Sequence, residues 1–310
     1  MFKIEEITIE NFRSIQSAHI KTDRLNLFVG NNDAGKSNVL KALNLFFNGE
    51  TDYDVPYDFD RDYSKLAKQI AKKAPEVKIT LKISLPSTYT DKQVIWTKKW
   101  RKDSEGISPH TNDIKTPNKE KTTQFTKSDT FVKNISYKYI PTIKSEEYFQ
   151  HLLGDLYKSL SGLTDDKLSK KIASLRDELQ KQTLDITEDI QDSMGLESKL
   201  TVEFYEFFRM LQFKTSINPQ SGVSLKQRGD GIRTRHIPKI LKFIHDSTTK
   251  GLTKGTVQLN TVWGYEEPET AIELSACFGF ANEFLEYSKN IPIFITTHSP
   301  AFYALASVRL

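Results

Sequence analysis

The stretch FVGNNDAGKSNVL, Phe28–Leu40, constrains this chain more than any other. It satisfies GxxxxGKS and stands between two periodic segments. Before it, Arg24–Gly30 is apolar and reads as a strand. After it, Val39, Leu40, Leu43 and Phe46 or Phe47 recur at helical spacing. A glycine loop between strand and helix turns backbone N–H groups and a helix N-terminus toward one point, which suits a phosphate. The sequence therefore predicts a cradle for ATP over Gly30, Asn31, Asn32, Asp33, Ala34, Gly35, Lys36, Ser37 and Asn38. In it the Lys36 ammonium reaches the β- and γ-phosphates, and the Ser37 hydroxyl ligates magnesium.

Phosphoryl transfer also needs carboxylates, and VQLNTVWGYEEPET, Val257–Thr270, supplies them at the end of an apolar, β-rich run. Open α/β sheets bind ligands at the carboxyl ends of their strands. There Glu266 is expected in the magnesium shell and Glu267 as the base that orients and deprotonates the attacking water. A further buried strand, IPIFITTHSP, Ile291–Pro300, ends in Thr297-His298-Ser299. His298 at that edge is expected to bond the γ-phosphate. The other five histidines have no such setting and are expected at the surface or in packing.

Composition narrows the classes. A chain of 310 residues with 37% hydrophobic content is long enough for a sizeable core. Cys277 is the one cysteine of the sequence, which excludes an internal disulfide and a zinc site of several thiolates. No run of about 18 apolar residues is present, and MFKIEEITIENF has neither a basic nor an apolar leader region. The expectation is a cytoplasmic protein without a membrane partner. The net charge of +4 is uneven, with an excess of Lys and Arg between Arg61 and Lys144. Lys98, Lys99, Arg101 and Lys102 are accordingly candidates to contact DNA or RNA.

Between the two halves, Pro75–Pro86, Gln93–Trp100 and Phe131–Ile143 read as strands of a first lobe, with a polar loop over Arg101–Asp129. Helices are expected from Glu146 to Leu211, where Leu168, Ile172, Leu175 and Leu179 form a heptad-like seam suited to an arm, a dimer contact or a docking site. The domains expected are 1–145, the first part of a nucleotide-binding head; 146–215, a helical insertion; and 216–310, the second part of the head, open to continuation in a longer protein.

Taken together, NFRSI (Asn11–Ile15), GNNDAGKSNVLKAL, the Gly229-Asp230-Gly231 segment, EEPE and THSP resemble the ABC-type ATPase heads of the RecF, SMC and OLD families. They are most similar to the OLD-like ATPases of bacterial anti-phage defence, the Septu and retron-associated ones included. The resemblance implies an α/β fold, an ABC-type P-loop head of mixed sheet and helices with a helical insertion. It implies that Arg13 lies near the nucleotide, that Glu266 takes the Walker B acidic position, and that Glu267 is the catalytic glutamate and His298 the switch histidine. It also implies a signature segment within Ser224–Pro238, where Gly229, Asp230 and Gly231 face ATP held by another subunit. This segment departs from LSGGQ, and Asp230 calls for a compensating charge from Arg228 or Arg233. The loop that carries a glutamine in such ATPases is sought in Tyr53–Tyr63. Head-to-tail homodimers or higher oligomers follow from the resemblance, with ATP hydrolysis controlling a partner nuclease or toxin. The competing expectations are a head acting on DNA in repair or chromosome maintenance, and an ATP-binding scaffold with little turnover. OLD proteins carry a Toprim nuclease after the ATPase; none is expected within these residues.

Overall fold

A computed structural model of the chain describes residues 2–68, 74–116, 127–163, 223–250 and 260–307, with short pieces between 170 and 215. The chain divides into two compact units, one formed by Met1–Lys144 with Thr256–Leu310 and the other by Ser145–Gly255. The first unit begins with β1 (Lys3–Phe12), β2 (Ile15–Lys21), β3 (Leu25–Phe28), α1 (Lys36–Asn48), a small hairpin of β4 (Glu50–Asp52) and β5 (Val55–Pro56), and α2 (Phe59–Asp62). It continues through β6 (Val77–Ser84), β7 (Gln93–Trp100), β8 (Thr111–Lys115), α3 (Lys127–Lys133) and β9 (Ile135–Ile140). The second unit holds α4 (Glu146–Leu163), the short strands β10 (Lys214–Thr215) and β11 (Val223–Ser224), and α5 (Asp230–Lys250). The first unit then resumes with β12 (Asn260–Glu266), α6 (Leu274–Ser288), β13 (Ile293–Thr296) and α7 (Pro300–Ser307).

Alternation builds the first sheet, which is antiparallel with strand order β2-β1-β6-β7-β8. Along β6 every second residue, Val77, Ile79, Leu81 and Ile83, is fully buried, as a strand with one covered face requires. In β1 a register shift between Ile4 and Glu6 lets Ile4 and Ile7, three residues apart, both reach the core. The opposite face is polar, with Lys78 paired to Glu10 at 2.7 Å and Lys82 to Glu6 at 3.1 Å. Leu40, Leu43 and Phe46 of α1 are fully buried and join the same core. Each such side chain contributes about 1.5–3 kcal/mol relative to exposure.

The second sheet is parallel, in the order β3-β13-β12-β9. Six of the seven residues of β12 and all four of β13 are buried, the pattern of strands covered on both faces. Because all four strands point the same way, their carboxyl ends share one edge. Tyr137 of β9 crosses Gly264 of β12 to donate its hydroxyl to the Leu40 carbonyl at 3.0 Å, fixing α1 to the sheet. A Cβ at position 264 would fall on the Tyr137 hydroxyl.

Two expectations are revised. Phe131–Ile143 is not one strand of the first lobe: its start belongs to α3, whose Phe131 and Val132 are buried, and its remainder is β9, paired with β12 in the parallel sheet. The polar stretch Arg101–Asp129 contains β8, paired with β7. In the second unit α4 and α5 bury Phe149, Leu152, Leu153 and Leu156, and Ile237, Ile240, Leu241 and Ile244, at helical spacing. The seam of Leu168, Ile172, Leu175 and Leu179 lies outside the described residues. The signature segment belongs to this unit, since the first unit resumes at Thr256. Among the described residues no helix is long and apolar enough to cross a membrane.

Candidate functional site

The glycine loop runs from the end of β3 to the start of α1. Gly35 has φ 86° and sits so close to Ser14 that a Cβ would lie 2.9 Å from its Oγ, two reasons for glycine at this corner. Among the described residues no side chain caps α1, and its first turn holds no acid; the Asn38 amide donates to the Gly35 carbonyl at 3.1 Å, and those of Lys36 and Ser37 are left to an anion. The Lys36 ammonium bridges the loop, donating to the carbonyls of Gly30 at 2.9 Å and Asn31 at 2.8 Å. Asn38 donates to Ser14 Oγ at 2.8 Å, holding the neighbouring loop against the helix.

Across the edge, β12 delivers the acids. Glu266 is buried, and its carboxylate accepts the Thr142 hydroxyl at 2.9 Å, while the Tyr139 hydroxyl lies 3.0 Å from its other oxygen. Glu267 leaves the strand with φ 41°, a conformation that a non-glycine residue holds only when its surroundings impose it. Its amide donates to the Thr296 carbonyl at 2.9 Å. Its carboxylate accepts the His298 amide at 3.1 Å and lies 3.6 Å from His298 Nε2. Burial and the adjacent Glu269 push Glu267 up to about 7, against the His298 amide and Lys36. One oxygen of Glu269 gathers the Thr297 hydroxyl at 2.7 Å and the amides of His298 and Ser299 at 2.8 and 2.9 Å. Lys144 donates to the Glu266 and Glu267 carbonyls; burial pushes it down to about 8 against the pull of the nearby acids.

The glycine loop, Glu267 and His298 face one cavity of about 670 Å³, lined by Ser14, Asn32, Asp33, Ala34, Gly35, Lys36, Ser37, Asn38, Thr142, Glu267 and His298. A cavity with amide donors and an ammonium on one wall and a carboxylate and imidazole on the other has the groups needed to bind phosphates and activate water. Glu266 is buried and is not among the lining residues. Arg13, with φ 49°, turns its Nε to the buried Asp62 at 2.9 Å. Asp62 also takes Arg61 at 2.7 Å, so the Tyr53–Tyr63 segment is organised around an acid.

The remaining candidates are not among the residues that line this cavity. Gly229, Asp230 and Gly231 open α5 in the second unit, and Arg233 supplies the charge that Asp230 requires while also pairing with Glu146 at 3.0 Å. The basic quartet does not share one face. Lys98 lies with Trp96 and Trp100, its amine 4.9 Å from the Phe46 and Trp96 rings and donating to the Phe46 carbonyl at 2.6 Å. Lys99 and Arg101 both pair with Glu76, at 3.0 and 3.2 Å, and the exposed Lys102 lies 3.7 Å from Asp60. Sequence reasoning gave no role to Glu269, Lys144 or Tyr139. The third acid of EEPE was a visible signal for the first; the other two come to the site through the pairing of β9 with β12.

Comparison with known proteins gives one family match and several structural likenesses. Residues 2–152 match the family described as AAA ATPase domain. An uncharacterized protein of Methanocaldococcus jannaschii is 43% identical over 72 residues, 20% of this chain and 21% of that one. Endonuclease GajA of Bacillus cereus is 24% identical across 99% of this chain and 57% of its own length. The chain thus spans about a fifth of one curated relative and just over half of the other. Among solved structures, an Smc head bound to the C-winged helix domain of ScpA superposes with a TM-score of 0.55 at 12% identity, over 97% of this chain and 91% of that one. An Smc head with an extended coiled coil, bound to the C-terminal domain of ScpA derived from Pyrococcus furiosus, gives 0.54 at 13% identity, over 98% and 92%. The fold is therefore that of an ABC-type P-loop ATPase head, and residues 2–152 of it match an AAA ATPase domain.

Proposed function

We propose that the first unit binds ATP with magnesium in the cavity beside α1 and hydrolyses it. The observation that most supports this is the common lining: Lys36, Ser37, Glu267 and His298 face one space although they come from opposite ends of the sequence. The α1 amides and the Lys36 ammonium hold the phosphates, while Arg13 is engaged with Asp62 and serves the neighbouring loop. Glu267 orients water and takes its proton, and His298 bonds the γ-phosphate. Ser37 faces the cavity and Glu266 accepts two hydroxyls, which leaves carboxylate lone pairs unused. These oxygen donors suit a hard cation, so Ser37 and Glu266, directly or through water, are the residues that would hold magnesium. When bound, the cation neutralises charge on the phosphates.

The wider role follows from the family resemblance. Two heads join head to tail so that the Gly229–Gly231 segment of one caps ATP held by the other, and the nucleotide state governs a nuclease or toxin in anti-phage defence. The similarity to endonuclease GajA along nearly the whole chain supports a link to nuclease chemistry, borne by a further region or by another protein. The test is light scattering of Glu267→Gln with and without ATP, together with purification of the native complex. A mass that doubles with ATP, and a nuclease or toxin that copurifies, are expected; a mass indifferent to ATP contradicts the head-to-tail arrangement.

A further inference from the structure

Lys144 is absent from the cavity lining, yet it is tied to both acids. Its ammonium donates to the carbonyls of Thr142 at 3.0 Å, Glu266 at 3.1 Å and Glu267 at 3.1 Å, which uses the three donors a lysine has. It also lies 5.4 Å from the centre of the Tyr265 ring, a further restraint on where the amine can sit. Glu267 is where this arrangement has its effect. With φ 41° its backbone is in a region that L side chains seldom adopt and that neighbouring groups must enforce. Both of its backbone polar groups are engaged: the N–H is bonded to Thr296 of β13, and the carbonyl accepts Lys144 at 3.1 Å and the Thr270 amide at 3.1 Å. The turn that aims the carboxylate is thus pinned on one side by the sheet and on the other by its own Thr270 amide together with a side chain from the segment after β9. Two residues earlier, Thr142 bonds the Glu266 carboxylate, so the same short segment holds one acid by its side chain and the other by its backbone.

We propose that Lys144 is a positioning residue for ATP hydrolysis, fixing the backbone of Glu267 so that its carboxylate meets the attacking water. The proposal rests on the reading of Glu267 as the base. Lys144 reaches Glu266 only at its backbone carbonyl and makes no hydrogen bond to the glycine loop or His298, so its main effect is on Glu267 and ATP affinity changes little without it.

The test measures ATP binding and steady-state turnover of the full chain carrying Lys144→Met, alone and combined with Glu267→Gln, with thermal unfolding followed in parallel. The expected result is an ATP dissociation constant within about threefold of wild type, a kcat lower by about thirtyfold or more, and no further loss in the Glu267→Gln background, since both changes act on one group. Lys144→Gln, which keeps an N–H donor, is expected to fall between wild type and Lys144→Met, and serves if the methionine variant does not fold. A wild-type kcat in these variants, or an equal proportional loss in both backgrounds, overturns the positioning role and leaves the base role of Glu267 standing. Equal turnover of wild type and Glu267→Gln removes the base role, and the proposal with it.

Discussion

The backbone amide of His298 donates to the Glu269 carboxylate at 2.8 Å, and the oxygen that receives it also holds Thr297 and Ser299. One acid therefore gathers the whole turn that enters α7. Since the His298 amide is shared with Glu267 at 3.1 Å, Glu269 sets the spacing between the two residues that face the cavity. Glu269→Ala leaves three donors without their acceptor. It is expected to cost about 2–3 kcal/mol in denaturant unfolding, since hydrogen bonds to charged groups are worth about 1.5–3 kcal/mol each and water replaces part of the loss. Turnover is expected to fall at least about tenfold. Glu269→Gln keeps the accepting oxygen and should retain most of the stability.

The elevated proton affinity of Glu267 has a kinetic signature. Burial and Glu269 push it up to about 7, and a base acts only when deprotonated. The kcat/KM for ATP, which reports the free enzyme, should rise between about pH 6 and about pH 8 and level off above. In Glu269→Gln a cause of the upward shift is gone, so the rising limb should move to lower pH. A wild-type profile without a rise in this range contradicts the assignment.

Lys98 is expected to behave as a core residue despite its charge. Burial pushes it down to about 8, so the folded protein binds this proton less readily than the unfolded chain, and stability gains from this group as pH rises from about 8 toward 10.5. Lys98→Met should change stability at pH 7 by no more than about 1 kcal/mol, since the aliphatic stem already fills the space between Phe46 and Trp96. Calorimetry across that pH range checks the sign: the rise should be present in wild type and absent in the variant.

Gly264→Ala should be among the most damaging single-methyl changes in the chain. The added carbon would collide with Tyr137, whose hydroxyl bonds the Leu40 carbonyl. Displacing that ring is expected to cost about 3 kcal/mol, read as a lower denaturant midpoint, with weaker ATP binding because α1 loses its anchor to the sheet.

What the sequence made legible was local. The cradle is a loop followed at once by its helix, so residue order and spacing suffice to describe it. The acids and the histidine are legible as residue types at strand ends, but their meeting depends on β3, β13, β12 and β9 running parallel. The sequence of β9, ISYKYI, alternates like a strand of the antiparallel lobe, and only its pairing with β12, more than a hundred residues away, puts Tyr139 and Thr142 beside Glu266. Lys98 shows the converse. The alternation of QVIWTKKW already sets it on the face of Val94, Trp96 and Trp100, whereas a count of basic residues groups it with Lys99 and Arg101. The tie between Lys144 and Glu267 has no sequence signal, because it involves a backbone carbonyl.

The central claim is that the amide-lined loop and the Glu267 carboxylate act on one ATP molecule. ATP binding and turnover measured side by side for wild type, Lys36→Ala and Glu267→Gln test it most directly. The account predicts that Lys36→Ala no longer binds ATP, and that Glu267→Gln binds it as wild type does while turning over about a thousandfold more slowly. A Glu267→Gln variant that hydrolyses ATP at the wild-type rate would contradict it.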